Sequence, residues 1–150
     1  MSIDEVEHVG AVLGSPREGA AADFFSAITE SGSLPPGIEV EEATSAVSCA
    51  LLRRLDLQPA RLVLDALPPP VVSVIGRCPI HGGATGERFD VGEFSRGIGE
   101  HLQLAPEAIA SMAGAVLRAL RAQLPSHVNA VVERQLPREL LALWRGGART

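Results

Sequence analysis

Lysine and tyrosine are absent from this 150-residue chain, and all thirteen of its basic residues are arginine. Without lysine, the chain can form neither a Schiff base nor the lysine contact of a phosphate-binding loop. Aromatic residues make up 3% of the sequence, whereas hydrophobic residues make up 46%. We therefore expect a packed core that is built from Leu, Val, Ile and Ala rather than from aromatic rings.

Signals for export and for membrane insertion are also missing. Every long apolar stretch is interrupted by Pro or Arg, and the first residues, MSIDEVEH, are acidic where a signal peptide would be basic and then apolar. The two cysteines, Cys49 and Cys78, favour free thiols over a disulfide framework in a chain of this size. These features predict a cytoplasmic protein that does not enter a membrane.

Charge is unevenly distributed along the chain, whose net charge is −5. Residues 1–50 contain nine acidic residues and the single arginine Arg17, whereas residues 51–150 contain nine acidic residues and twelve arginines. The arginines are scattered, without a basic run and without interleaved aromatic residues. This distribution argues against nucleic-acid binding.

Internal repetition is the most informative feature of the sequence. The segment ALLRRL at 50–55 matches AVLRAL at 115–120, and each follows a Glu-Ala pair at the same displacement. Similarly, LPPPVVSVI at 67–75 matches LPRELLALW at 136–144, and DFFSAI at 23–28 matches GEFSRGI at 92–98. Because three matches occur in the same order, we infer that the chain contains two related repeats.

Proline positions and apolar spacing make both repeats helical. At five places a proline stands just ahead of an apolar run. Proline is tolerated there because the first N–H groups of a helix have no intrahelical acceptor. Ser15–Glu18 and Asp90–Glu93 have the pattern of capping boxes. Apolar residues at three- and four-residue spacing define a core face in each repeat, namely Val40, Ala43, Val47, Ala50 and Leu51 in the first and Ile109, Met112, Val116 and Leu120 in the second. The expected helices lie near 16–31, 39–56, 59–66, 69–76, 91–103, 106–123, 126–135 and 137–145.

The sequence thus predicts an all-α fold, a helical bundle of about eight helices made of two related multi-helix repeats packed together. Each repeat is too small to bury its apolar face alone, so we expect the two to pack on each other. The predicted boundaries are an N-terminal tail at 1–15, a first helical repeat at 16–76, a connector loop at 77–90, a second helical repeat at 91–145 and a C-terminal tail at 146–150.

Two Glu-Ala…Leu-Arg-x-Leu helices, each followed by Leu-Pro and an apolar finish, resemble the bacterial domain of unknown function 2267 family. The stretch ERFDVGEF at 87–94 is also similar to the segment between the halves of that family. The resemblance covers roughly residues 22–145 and implies a small all-helical cytoplasmic domain. It brings no catalytic residue, ligand or activity with it. The triple proline at 68–70 and the Cys/His/Gly-bearing connector depart from the family pattern.

The connector contains the one candidate for a metal site. Cys78 and His81 stand three positions apart and are followed by two glycines, and His101 could fold back to join them. A structural zinc needs four such ligands and a catalytic zinc needs three, so this set falls short of the first and only just reaches the second. An incidental thiol in a solvated loop is the simpler interpretation, and no metal ligand is assigned.

Other reactive residues have structural interpretations as well. Cys49 lies within an Ala/Val/Leu helix, which is typical of a buried thiol rather than a nucleophile. Trp144, the only tryptophan, occupies the position of Ile75 in the first repeat and is expected to anchor the last helix in the core, with a partner contact as the alternative. Arg53 and Arg54, together with Arg118, are expected on the solvated outer side of the long helices.

Two functions from different classes fit this sequence. The first is a non-enzymatic module that binds a protein partner or forms a homo-oligomer; it follows from the repeated apolar helices and the lack of converging titratable groups. The second is a small-molecule or metal site in the connector and the cleft between the repeats, with Cys78, His81 and His101 as its polar members. No catalytic, cofactor-binding or metal-binding residue is assigned, and no cofactor is expected.

Overall fold

The computed structural model describes residues 16–76, 85–88 and 90–146, and these residues form eight α-helices without a β-strand. The helices are α1 (Pro16–Glu30), α2 (Val40–Arg54), α3 (Leu57–Ala66), α4 (Pro69–Ile75), α5 (Val91–Leu102), α6 (Pro106–Gln123), α7 (Ser126–Gln135) and α8 (Arg138–Trp144). The predicted all-α bundle is confirmed. Within these residues, no helix combines the length and the apolar character that crossing a bilayer requires.

Helix starts follow the signals in the sequence. The capping box of α5 is present, since the Glu93 N–H donates to Asp90 Oδ1 at 2.9 Å and the Asp90 N–H donates to Glu93 Oε1 at 3.2 Å. The box predicted at Ser15 lies outside the described residues. Helix α3 begins at Leu57 rather than at Pro59. Pro59 still fits because the N–H groups of the first turn have no intrahelical acceptor.

Helices α2 and α6 form the centre of the bundle. Helix α2 is buried on every side from Ala43 to Leu52, and α6 is buried along most of its length from Ile109 to Leu120. The predicted core faces are confirmed at every position except Val40, which lies half-buried in the first turn of α2. The apolar part of this centre is aliphatic rather than aromatic, and Thr44, Ser45 and Ser48 are buried among the aliphatic residues of α2.

The first half of the bundle (α1–α4) and the second half (α5–α8) share this core. Helix α1 packs on α6, α2 packs on both α5 and α6, and α3 packs on α7, so that four of the main helix contacts join one half to the other. This exchange of partners is what a pseudo-two-fold axis between the halves would produce. It supports the two-repeat interpretation, which stays a prediction, as do the boundaries drawn for repeats and tails.

The described part of the connector lies against the end of α2. The Gly86 N–H donates to the Leu55 carbonyl at 2.6 Å, and the Glu87 N–H donates to the Arg53 carbonyl at 2.8 Å. A helix leaves its last carbonyls without intrahelical donors, and the connector supplies two of the missing bonds. Gly86 has φ +78, a conformation that favours glycine.

Two leucines provide a test of where the core lies. Leu51 on α2 is 1% exposed, whereas Leu57 at the start of α3 is 51% exposed. We expect Leu51→Ala to lower the free energy of unfolding by about 2–5 kcal/mol, because it leaves a cavity among packed aliphatic groups. The matched substitution Leu57→Ala should change it by no more than about 0.5 kcal/mol. Urea denaturation measures both, and equal losses would contradict this description of the core.

Candidate functional site

The structure describes only one of the three predicted metal ligands. Cys78 and His81 lie outside the described residues, whereas His101 lies in the last turn of α5. Within the described ranges, no three His, Cys, Asp or Glu side chains are grouped so that they could hold a metal ion. The metal hypothesis therefore stays a prediction, with His101 as the one proposed ligand whose surroundings are known.

His101 is half-buried and faces the start of α2. Burial lowers the pKa of its imidazole below the ordinary value of 6.5, and the nearby Glu42 carboxylate offsets part of this effect. Burial acts in this direction because the charged imidazolium loses solvation. The arrangement favours the neutral ring, which stabilises the packing of α5 on α2 without bringing a charge into it.

Cys49 and Trp144 both belong to the core. Cys49 is 6% exposed and Trp144 is fully buried, which confirms the structural interpretation of each. The Trp144 indole N–H makes no hydrogen bond of normal geometry among the described residues, although it contributes to lowering the pKa of Glu133. A buried thiol in an aliphatic helix is shielded from substrates, so Cys49 is a poor nucleophile.

A polar pocket lies where the two halves and the connector meet. This arginine pocket has a volume of 280 Å³ and is lined by Arg53, Glu87, Arg88, Glu93, Arg96, Gly97 and Glu100. Its walls come from the end of α2, the segment 85–88 and one face of α5. Its lining combines three guanidinium groups with three carboxylates. The predicted cleft between the halves therefore has polar members other than Cys78, His81 and His101.

Arg53 is the most buried charged side chain of the arginine pocket. Its Nη2 lies 2.8 Å from Glu87 Oε1, and its side chain is only 17% exposed. A Cβ at Gly97 would lie 3.4 Å from Arg53 Nη1, so the guanidinium packs directly on the backbone of α5. The expectation that Arg53 is solvated is wrong, because the connector and α5 cover it; Arg118 is exposed as expected.

A second polar contact next to the pocket joins three segments of the chain. Arg88 Nη2 donates to Asp56 Oδ1 at 2.9 Å, and the Asp56 N–H donates to Gln135 Oε1 at 2.9 Å. The hydrogen bond from Arg88 is the main cause that lowers the pKa of Asp56. The connector, the first half and α7 are thus held together at one point.

An open groove of 510 Å³ lies between α1, the start of α2 and α4. This acidic groove is lined by Phe25, Glu39, Glu41, Glu42, Pro70, Ser73 and Val74. Phe25, Pro70 and Val74 give it an apolar floor, and the three glutamates give it a negatively charged rim. The rim lies at the amino end of α2, where the helix dipole favours negative charge.

Local contacts fix both parts of the acidic groove. The Glu39 N–H donates to Glu42 Oε1 at 3.0 Å, which holds one carboxylate against the first turn of α2. The Phe25 ring packs edge-to-face on Phe24, with ring centroids 5.2 Å apart. Since Phe24 is buried in the core, the half-buried Phe25 ring is held in place at the surface.

An arginine cluster lies at the end of α8 and on the second half of α6. Arg145 Nη2 is 2.7 Å from Glu133 Oε1, and Arg121 Nε is 3.9 Å from Glu133 Oε2. Arg118 lies alongside, with its Cδ 3.3 Å from the Cβ position of Gly146. The hydrogen bond from Arg145 is the main cause that lowers the pKa of Glu133. Two arginines thus share the Glu133 carboxylate, and Arg118 lies next to Gly146 without an ion pair to Glu133.

Sequence reasoning missed the acidic groove and the arginine cluster as surfaces. The sequence signal that corresponds to these surfaces is the charge asymmetry between residues 1–50 and residues 51–150. The groove unites residues from three helices, and the cluster unites residues from α6, α7 and α8. Such non-local groupings follow from the packing and have no fixed spacing in the chain.

The lowered pKa of His101 predicts a pH dependence of stability. The unfolded chain binds the His101 proton more readily than the folded chain, so the free energy of unfolding should fall as the pH drops below 6.5 and level off below the folded-state pKa. His101→Gln should remove this part of the slope. His127→Gln, at an exposed position on α7, should retain it. Denaturation at several pH values compares the slopes, and an unchanged slope in His101→Gln would refute the prediction.

Comparison with known families adds to this description. No curated protein matches the sequence. Residues 21–143 match the family model described as "Uncharacterized conserved protein (DUF2267)". The match spans both halves of the bundle and agrees with the resemblance carried by the repeated Glu-Ala…Leu-Arg-x-Leu helices. The chain therefore belongs to the DUF2267 family.

Proposed function

We propose that this chain is a non-enzymatic protein-interaction module that binds a partner in the acidic groove. The observation that carries the proposal is the combination of an apolar floor, made by Phe25, Pro70 and Val74, with a rim of three carboxylates. We assign the module to the cytoplasm, because a chain of 150 residues with only two cysteines is not built around a disulfide framework.

The chemistry of the acidic groove selects its partner. An arginine-bearing segment can lay its aliphatic stems on the floor while its guanidinium groups reach the glutamates on the rim. The Phe25 ring adds a surface on which a guanidinium can stack. An anionic segment would be repelled by the same rim, so the groove discriminates between partners by charge.

Photo-crosslinking from within the acidic groove tests this function. Ser73 is exposed and lines the groove, so replacing it with p-benzoylphenylalanine places a reactive ketone against any bound partner. We expect irradiation of cells that make this variant to give a covalent adduct with one identifiable protein. Adding Glu41→Arg should reduce the adduct, because the added charge repels a cationic partner.

The same amino acid at Asp65 is the matched control. Asp65 is exposed on α3 and does not line the acidic groove, so it should give no such adduct. Mass spectrometry identifies the crosslinked protein. If the Ser73 variant gives no adduct above the Asp65 level, or if its adduct is insensitive to Glu41→Arg, the proposed function is wrong.

The arginine pocket favours a second candidate function, the binding of a small polar ligand between the halves. Arg53 pairs with Glu87, Arg88 pairs with Asp56, and Glu93 accepts a hydrogen bond in the capping box of α5. Arg96 and Glu100 therefore offer the remaining charges of the lining. Charges of both signs at a volume of 280 Å³ suit a zwitterion of amino-acid size. This second candidate function places the ligand in the cleft between the halves, as the second function inferred from the sequence does.

A thermal-shift screen with free amino acids tests this second function. We expect one of them to raise the melting temperature in a dose-dependent way, because a ligand that binds only the folded chain stabilises it. The shift should be lost in Arg96→Ala and retained in Arg61→Ala, an exposed position on α3. If no amino acid shifts the melting temperature of the wild-type chain, the second candidate is excluded for this class of ligand.

A further inference from the structure

We infer that the partner of the acidic groove is a second copy of this chain, which inserts its arginine cluster. This inference rests on the proposed function and names the partner. The surface that enters the acidic groove is the arginine cluster, which consists of Arg118, Arg121 and Arg145 together with Glu133.

Charge complementarity is the first argument. Arg121 and Arg145 share the Glu133 carboxylate, and Arg118 lies beside Gly146 without an ion pair to Glu133, which leaves an excess of positive charge on that surface. Three carboxylates form the rim of the groove, at the amino end of α2. Each surface thus carries the charge that the other lacks, and the complementary potentials would steer two copies together.

The absence of pairing within one copy is the second argument. None of the ion pairs among the described residues joins an arginine of the cluster to a glutamate of the groove. Side chains on both surfaces are exposed, since Arg121 is 45% and Arg145 is 55% exposed and the three glutamates of the groove are exposed as well. The two surfaces can therefore meet only between copies.

The composition of the two surfaces defines the kind of assembly. Groove and cluster share no residue, so the contact joins two different surfaces. Two copies can use both surfaces at once in a closed dimer, or each copy can bind the next in a head-to-tail series. In both cases the contact contains exposed ion pairs, so added salt should weaken it.

Sedimentation velocity on the full chain measures the association. We expect wild-type protein to associate as its concentration rises from about 5 to about 300 µM in low salt, and to dissociate when NaCl reaches about 0.5 M. Glu41→Arg and Arg118→Glu should each weaken the association by about three- to tenfold, since each reverses one charge at the contact. Mixing the two variants should restore it, because the intact groove of one meets the intact cluster of the other.

The controls are Asp65→Arg and Arg61→Glu, which reverse exposed charges on α3 outside both surfaces and should leave the association unchanged. Circular dichroism verifies that each variant is folded. A wild-type chain that stays monomeric in low salt at every concentration overturns the inference, and so does a mixture that fails to restore association. A Ser73 adduct with a different protein also overturns it, while leaving the proposed function intact.

Discussion

The packing of α2 against α6 is the constraint on which the rest of the structure depends. Both helices are buried along most of their length, so neither half of the chain can hide its central helix without the other. Apolar burial of this kind is strong but has no preferred direction. Small residues on α2 such as Thr44 and Ser48, whose hydroxyl oxygens have no hydrogen-bond partner among the described residues, keep the helix thin enough for close approach from several sides.

Polar contacts fix the relative orientation of the two halves, which aliphatic packing alone does not specify. Arg53 lies across Gly97 of α5 and pairs with Glu87. The Asp56 carboxylate accepts a hydrogen bond from Arg88, and the Asp56 N–H donates to Gln135 Oε1. Each contact joins segments that are far apart in the chain, and each is satisfied only in one register of the halves. The junction therefore stabilises one arrangement among the many that a smooth aliphatic interface would allow.

The fold could be predicted from the sequence because its signals are local. Proline positions, the Asp90–Glu93 capping box and the apolar spacing of α2 and α6 act within one or two turns, and they placed all eight helices. The pocket around Arg53 could not be predicted in this way. Arg53 and Arg118 occupy matching positions in the sequence, yet one is covered by the connector and the other is exposed. That difference depends on where residues 85–88 lie, and no spacing in the sequence encodes their position.

Each charged surface contains a charged residue that takes no part in the local capping bonds or ion pairs. At the start of α2, Glu42 accepts a backbone hydrogen bond at the helix end, whereas Glu41 takes no part in that capping pair. At the end of α8, Arg145 binds Glu133, whereas Arg118 takes no part in the ion pairs of Glu133. Concentrating like charge on one surface opposes folding through self-repulsion. The helix dipoles offset part of this cost, because they favour negative charge at the amino end of α2 and positive charge at the carboxyl end of α8.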